Sequence, residues 1–108
     1  MTPISIALFH AAQRLDETPM AILNGGASDA LEALAAAAPD TDAVASARGI
    51  DVSVMNELWT RADARLREVP QGDEAVYVAA AEAASLLYMA AWAIGSDSAT
   101  TEQLQDLL

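Results

Sequence analysis

Few residues of this chain have side chains suited to catalysis. It has no cysteine and a single histidine, His10, which excludes thiol catalysis, disulfides and multi-histidine metal sites within one chain. No G-x-S-x-G elbow is present, and Asn24-Gly25-Gly26 lacks the lysine and the strand of a phosphate-binding loop. We interpret His10 as a surface residue and the glycine pair as a helix stop. The sequence therefore predicts a protein that is not an enzyme and binds no cofactor or metal.

Acidic residues dominate the charge. Sixteen Asp and Glu against five Arg and no Lys give a formal net charge of −11. Such a chain repels nucleic-acid backbones and anionic membrane surfaces, whereas it attracts basic proteins. We therefore expect a protein partner, basic in charge, and neither direct nucleic-acid binding nor membrane association. Most of the acids lie near predicted helix starts, where they complement the helix dipole, so mimicry of DNA is not favoured.

One acidic residue, Glu82, has no such local explanation, because it lies inside the apolar stretch of residues 77–95. A glutamate at the centre of a bilayer costs several kcal/mol, so we predict a core helix and not a membrane span. Three interpretations of Glu82 are open. It is an edge carboxylate that reaches water, it pairs with Arg14, Arg48 or an arginine of residues 61–67, or it binds a partner.

The arginines are clustered. Arg61 and Arg65 share one helix face, and Glu57 and Glu68 lie three or four residues from them. Two interpretations are open: a solvated face of mixed charge, or an anchor for carboxylates of a partner or of a second copy of the chain. Arginine suits the second role because its guanidinium group binds a carboxylate through two hydrogen bonds.

Helices must position these residues, because start and stop signals for helices recur along the chain. Thr2-Pro3 and Thr100 with Gln103 are typical helix starts, and a further helix is predicted to begin at Ser28. The break at Pro70-Gln71-Gly72 separates two longer helices. No strand pattern of convincing length is present.

The predicted fold class is therefore all-α, a single helical domain over residues 1–108. We expect a compact bundle of about five helices. In it, a central Ala-rich helix, at about residues 74–94, packs antiparallel to the helix of residues 53–69.

Projected at about 100° per residue, the long helix has two faces. The face predicted to be core comprises Val76, Ala80, Ala83, Leu87, Ala91 and Ile94. The opposite face is amphipathic and carries Tyr77, Ser85, Tyr88 and Trp92, with Glu82 at its edge. A chain of 108 residues has difficulty covering such a helix on both faces, so we expect a homodimer or an equivalent partner helix. The predicted interface residues are Tyr77, Glu82, Ser85, Tyr88, Trp92, Arg61 and Arg65.

Three functions are considered. The favoured one is a cytoplasmic regulator, adaptor or inhibitor acting by protein–protein interaction, because the chain lacks a catalytic set. Antitoxins, immunity proteins and phage-encoded inhibitors of bacterial defence share its general size and charge, which is an analogy of class only. The alternative is a carboxylate-based metal or small-ligand protein centred on Glu82, with Glu57 or Glu74. The third is a structural subunit of an assembly.

Overall fold

The start and stop signals of the sequence produce six α-helices in the computed structural model, which describes residues 2–108. These residues contain no strand, and 82% of the chain is helical. The helices are α1 (Pro3–Glu17), α2 (Gly26–Ala37), α3 (Thr41–Arg48), α4 (Val52–Arg67), α5 (Asp73–Gly95) and α6 (Thr101–Leu107). Two 3₁₀ turns, Pro19–Ile22 and Ala38–Asp40, precede α2 and α3. The all-α prediction is confirmed.

The predicted helix starts are confirmed by their hydrogen bonds. The backbone N–H of Ser5 donates to Thr2 Oγ1 at 3.2 Å, which caps α1. At α6, the N–H of Gln103 donates to Thr100 Oγ1 at 3.2 Å, and the N–H of Thr100 donates to Gln103 Oε1 at 3.1 Å. Asp51 caps α4 in the same way. These contacts satisfy backbone donors that have no partner inside their own helix.

α2 begins at Gly26, two residues before the predicted start at Ser28. The preceding Gly25 has φ +92°, a left-handed conformation that favours glycine. Gly26 lies so close to the 3₁₀ turn that a Cβ atom there would be 2.5 Å from the carbonyl oxygen of Ala21. The glycine pair therefore ends one segment and allows the next helix to start directly against it.

α5 is the centre of the bundle. The six residues predicted to form its core face are all buried: Val76, Ala80, Ala83, Leu87, Ala91 and Ile94. Its most extensive contact is with α1 and not with α4, the partner expected from the sequence. α1 supplies Leu8, Ala12 and Leu15, which are completely buried. The small alanines of α5 leave room for these larger side chains.

α4 and α5 are antiparallel, as predicted. At the start of α4, the N–H of Asp51 donates to Thr101 Oγ1 at 3.0 Å, just beyond the end of α5. Arg48, which ends α3, donates to the carbonyl oxygen of Ala93 near the end of α5. The end of α4 connects through a short break to the start of α5. Each end of α4 therefore lies near the opposite end of α5.

Within the described residues, α5 is the one helix long and apolar enough to cross a membrane. In its most apolar window, 56% of the residues are buried inside the bundle. A core helix of a soluble protein has the same length and composition.

Candidate interaction surfaces

The predicted interface residues lie in different regions of the surface. Four of them, Arg61, Arg65, Glu82 and Ser85, line an open groove between α4 and α5, which we call the α4–α5 groove. Its volume is about 530 Å³, and its remaining lining residues are Ala64, Glu68, Leu86 and Leu108. Tyr88 and Trp92 line a second concavity, and Tyr77 lines neither.

Arg65 is the most buried charged residue of the α4–α5 groove, with 19% of its side chain exposed. Its Nη1 lies 2.6 Å from Glu68 Oε2, and its Nε lies 3.0 Å from Glu82 Oε2. The buried Nε of Arg65 forms no hydrogen bond, so its contact with Glu82 is an ion pair without a hydrogen bond. Glu82 is 56% exposed. It therefore both reaches water and pairs with an arginine, which combines two of the three interpretations.

The neighbouring arginines are also paired within the chain. Arg61 lies 2.7 Å from a carboxylate oxygen of Glu57 and donates to the carbonyl oxygen of Leu108. Arg67 Nε lies 2.9 Å from Asp63 Oδ2. These contacts fit the interpretation of a solvated face of mixed charge, because the guanidinium groups are occupied by acids of their own chain.

The second concavity is formed by aromatic side chains, and we call it the aromatic cleft. Phe9 of α1 and Tyr88 and Trp92 of α5 all line this open space, which has a volume of about 470 Å³. The rings of Phe9 and Tyr88 meet edge to face, with centroids 5.4 Å apart and planes at 61°. The chain has five aromatic residues of these three types, and three of them line this cleft.

One carboxylate, Asp97, lines the aromatic cleft, and a second, Asp16, contacts the hydroxyl group of Tyr88. Tyr88 Oη donates to Asp16 Oδ2 over 3.4 Å, a long hydrogen bond. Loss of surrounding water raises the pKa of Tyr88, and the negative charge of Asp16 raises it further. Asp97 lines the cleft with a fully exposed side chain. Its carboxylate is 3.5 Å from Arg48, a loose ion pair.

Phe9 is absent from the predicted interface residues, and it lies to the side of the buried face of α1 formed by Leu8, Ala12 and Leu15. That position was itself a signal. A large apolar residue on the outer side of an amphipathic helix is a candidate for a surface role. Ile6, one turn earlier, is exposed in the same way.

Tyr77 lies at the start of α5 and is 58% exposed. Val78 beside it and Val69 in the break after α4 are also exposed. Trp59 has a different role: its indole Nε1 donates to the carbonyl oxygen of Leu34 at 3.3 Å, which joins α4 to α2.

The carboxylates considered for a metal site do not converge. Glu57 and Glu82 pair with different arginines, and Glu74 is exposed in the first turn of α5. Among residues 2–108, no group of three or more histidine and carboxylate side chains could hold a metal ion.

Comparison of the chain with protein-family models, with curated proteins and with solved structures finds no match in any of the three.

Proposed function

We propose that this protein is a non-enzymatic interaction module, a regulator, adaptor or inhibitor that binds a basic protein partner. The observation that carries the proposal is that every arginine is paired internally. The pairs are Arg14–Asp29, Arg48–Asp97, Arg61–Glu57, Arg65–Glu68, Arg65–Glu82 and Arg67–Asp63. They use six of the sixteen acids, which leaves ten without an ion-pair partner within residues 2–108.

The unpaired acids give the molecule an attractive field for positive charge. Long-range attraction of this kind accelerates association with basic proteins and weakens as salt is added. Apolar surface supports the same proposal, because Tyr77, Val78 and Val69 are exposed next to the acidic start of α5. A protein interface combines such apolar contacts with a polar rim.

Self-association through the exposed half of α5 is a second proposal, supported by the exposure of Tyr77 and Val78. Charge opposes it, since each copy carries −11 and a symmetric contact would bring Glu74 and Glu82 of two copies together. The two proposals therefore predict opposite responses to salt. Added salt should strengthen a homodimer and weaken a complex with a basic protein.

The experiment is affinity purification of the tagged chain from its native host, followed by calorimetry with the purified partner at low and high salt. We expect a stoichiometric basic protein whose affinity falls as salt rises. The double variant Tyr77→Ser with Val78→Ser tests the apolar contact separately, because it leaves the net charge unchanged and should still lower the affinity for the partner. Recovery of no stoichiometric protein, or of one whose binding ignores salt, would contradict the proposal. Sedimentation equilibrium across the same salt range tests the homodimer.

A further inference from the structure

We propose that the aromatic cleft of Phe9, Tyr88 and Trp92 is an anchor site for a cationic side chain, lysine or arginine, of a protein partner. The inference rests on the proposed function, because it names the chemistry by which the basic partner is held. It also goes further, since it assigns the anchor to one concavity on the molecule and not to the charged surface as a whole.

The geometry of the rings is the first support. The ring planes of Phe9 and Tyr88 are 61° apart, so they form two walls that meet at a steep angle. Trp92 lies one helical turn beyond Tyr88 on the same side of α5 and provides a third wall. The faces of aromatic rings carry partial negative charge, and sets of such walls are a recurring means of binding ammonium groups. The cleft volume of about 470 Å³ lies within the range of small-ligand pockets.

The carboxylates are the second support. Asp97 lines the cleft with its side chain fully exposed, and its ion pair with Arg48 is long, at 3.5 Å. Arg48 is itself held by its hydrogen bond to the carbonyl oxygen of Ala93. Asp16 adds a second negative charge at the hydroxyl of Tyr88. No residue that lines the cleft is cationic. The site therefore combines aromatic faces with anionic groups, which suits a cation better than a neutral apolar group.

The occupant must come from another protein. A second copy of this chain has no lysine, and each of its arginines is already paired with its own acids. To offer an arginine to the cleft, a second copy would have to break one of these pairs. A basic protein carries lysine and arginine side chains that are free to enter.

The test is an NMR titration of the intact protein with two small probes, N-acetyl-lysine-N-methylamide and its neutral analogue N-acetyl-norleucine-N-methylamide. The chain contains its own reference signal. The indole N–H of Trp92 reports on the cleft, whereas that of Trp59 is engaged with the carbonyl oxygen of Leu34 elsewhere. We expect the lysine probe to shift the Trp92 signal and leave the Trp59 signal in place. The norleucine probe should shift Trp92 about fivefold less at equal concentration.

Two variants separate the aromatic contribution from the charge. Phe9→Leu keeps an apolar side chain but removes a ring, so we expect the lysine probe to bind about threefold to fivefold more weakly. Asp97→Asn removes the carboxylate at the cleft and should weaken binding of the lysine probe by a similar factor. Its matched control is Asp73→Asn, which makes the same change in charge at the other end of α5, roughly 30 Å away. That variant should leave the affinity almost unchanged.

Four results would overturn the inference. Three are equal binding of both probes, an absent shift at Trp92 with the lysine probe, and an unchanged affinity in Phe9→Leu. The fourth is equal weakening by Asp97→Asn and Asp73→Asn, because the attraction would then come from the whole molecule. None of these measurements needs the natural partner. A failed titration therefore leaves the proposed function intact, whereas failure to recover a basic partner does not alter the cleft's measured preference for a cation.

Discussion

Gly26→Ala tests the close approach at the start of α2. Alanine is the better helix former by about 1 kcal/mol inside a helix and by less at its first residue, so propensity alone predicts a gain in stability. The added Cβ would lie 2.5 Å from the carbonyl oxygen of Ala21 and 2.9 Å from its carbonyl carbon. Ordinary contact begins at 3.4 Å, so the two segments would have to separate by about 0.9 Å. Because these atoms belong to the backbone, they cannot rotate away.

Overpacking of this kind costs about 1–3 kcal/mol, which exceeds the gain from propensity. We expect a net loss of about 1–2 kcal/mol in the free energy of unfolding, or a fall of roughly 5–15 °C in Tm. Urea and thermal unfolding followed by circular dichroism measure both quantities.

Gly25 is the matched control. A Cβ at Gly25 meets nothing within 4 Å, but the φ of +92° strains residues other than glycine. Asparagine tolerates this conformation better than alanine does, so Gly25→Asn should be milder than Gly25→Ala. At Gly26 the order should reverse, since the larger side chain worsens the collision. The reasoning fails if Gly26→Ala is neutral or stabilising, or if both positions rank alanine and asparagine in the same order.

Three further predictions concern charged and titrating groups. Glu82→Gln should lower the free energy of unfolding by less than about 1 kcal/mol in urea denaturation, since its pair with Arg65 is half exposed; a loss of several kcal/mol would contradict this. Hydrogen bonds from Ser53 lower the pKa of Asp51 below its ordinary value of 3.8. The stabilisation from Asp51 is therefore present above pH 3.8 and is lost as pH falls through the folded pKa. When Tm is measured against pH, it should fall less steeply in acid for Asp51→Asn than for the unchanged protein. The raised pKa of Tyr88 makes stability depend on pH in the opposite direction: its stabilisation is complete below pH 10 and is lost as pH rises through the folded pKa. Tyr88→Phe should therefore make Tm fall less steeply at alkaline pH, and an unchanged alkaline slope would contradict this.

The sequence predicts those features that depend on neighbouring residues. The capping box of Thr100 with Gln103 is local chemistry, and the two faces of α5 follow from helical periodicity alone. The pairing of helices is not local. The preference of α5 for α1 depends on how closely two surfaces fit, and single-chain periodicity contains no such information.

The candidate site shows the same division. Tyr88 and Trp92 could be grouped from the sequence because they are four residues apart on one helix. Phe9 joins them only after α1 packs on α5, a contact between residues far apart in the sequence. For Glu82, the sequence left three roles open: an edge carboxylate that reaches water, a pair with an arginine, or binding of a partner. The structure combines the first two, because the crossing of α4 places Arg65 beside a carboxylate that still reaches water.

The alanines that fill the buried side of α5 have a consequence for how the bundle keeps its alignment. Alanine has no rotamers to freeze, so this surface loses almost no side-chain entropy on folding. Because alanine side chains are small, this surface also has few protruding side chains that would stop a neighbouring helix from sliding lengthwise. Register along α5 must therefore be set by bulky residues such as Leu8 and Leu87 and by the hydrogen bond from Arg48 to the carbonyl oxygen of Ala93. Without that hydrogen bond, a helix could slip along α5 while the interior stayed dry.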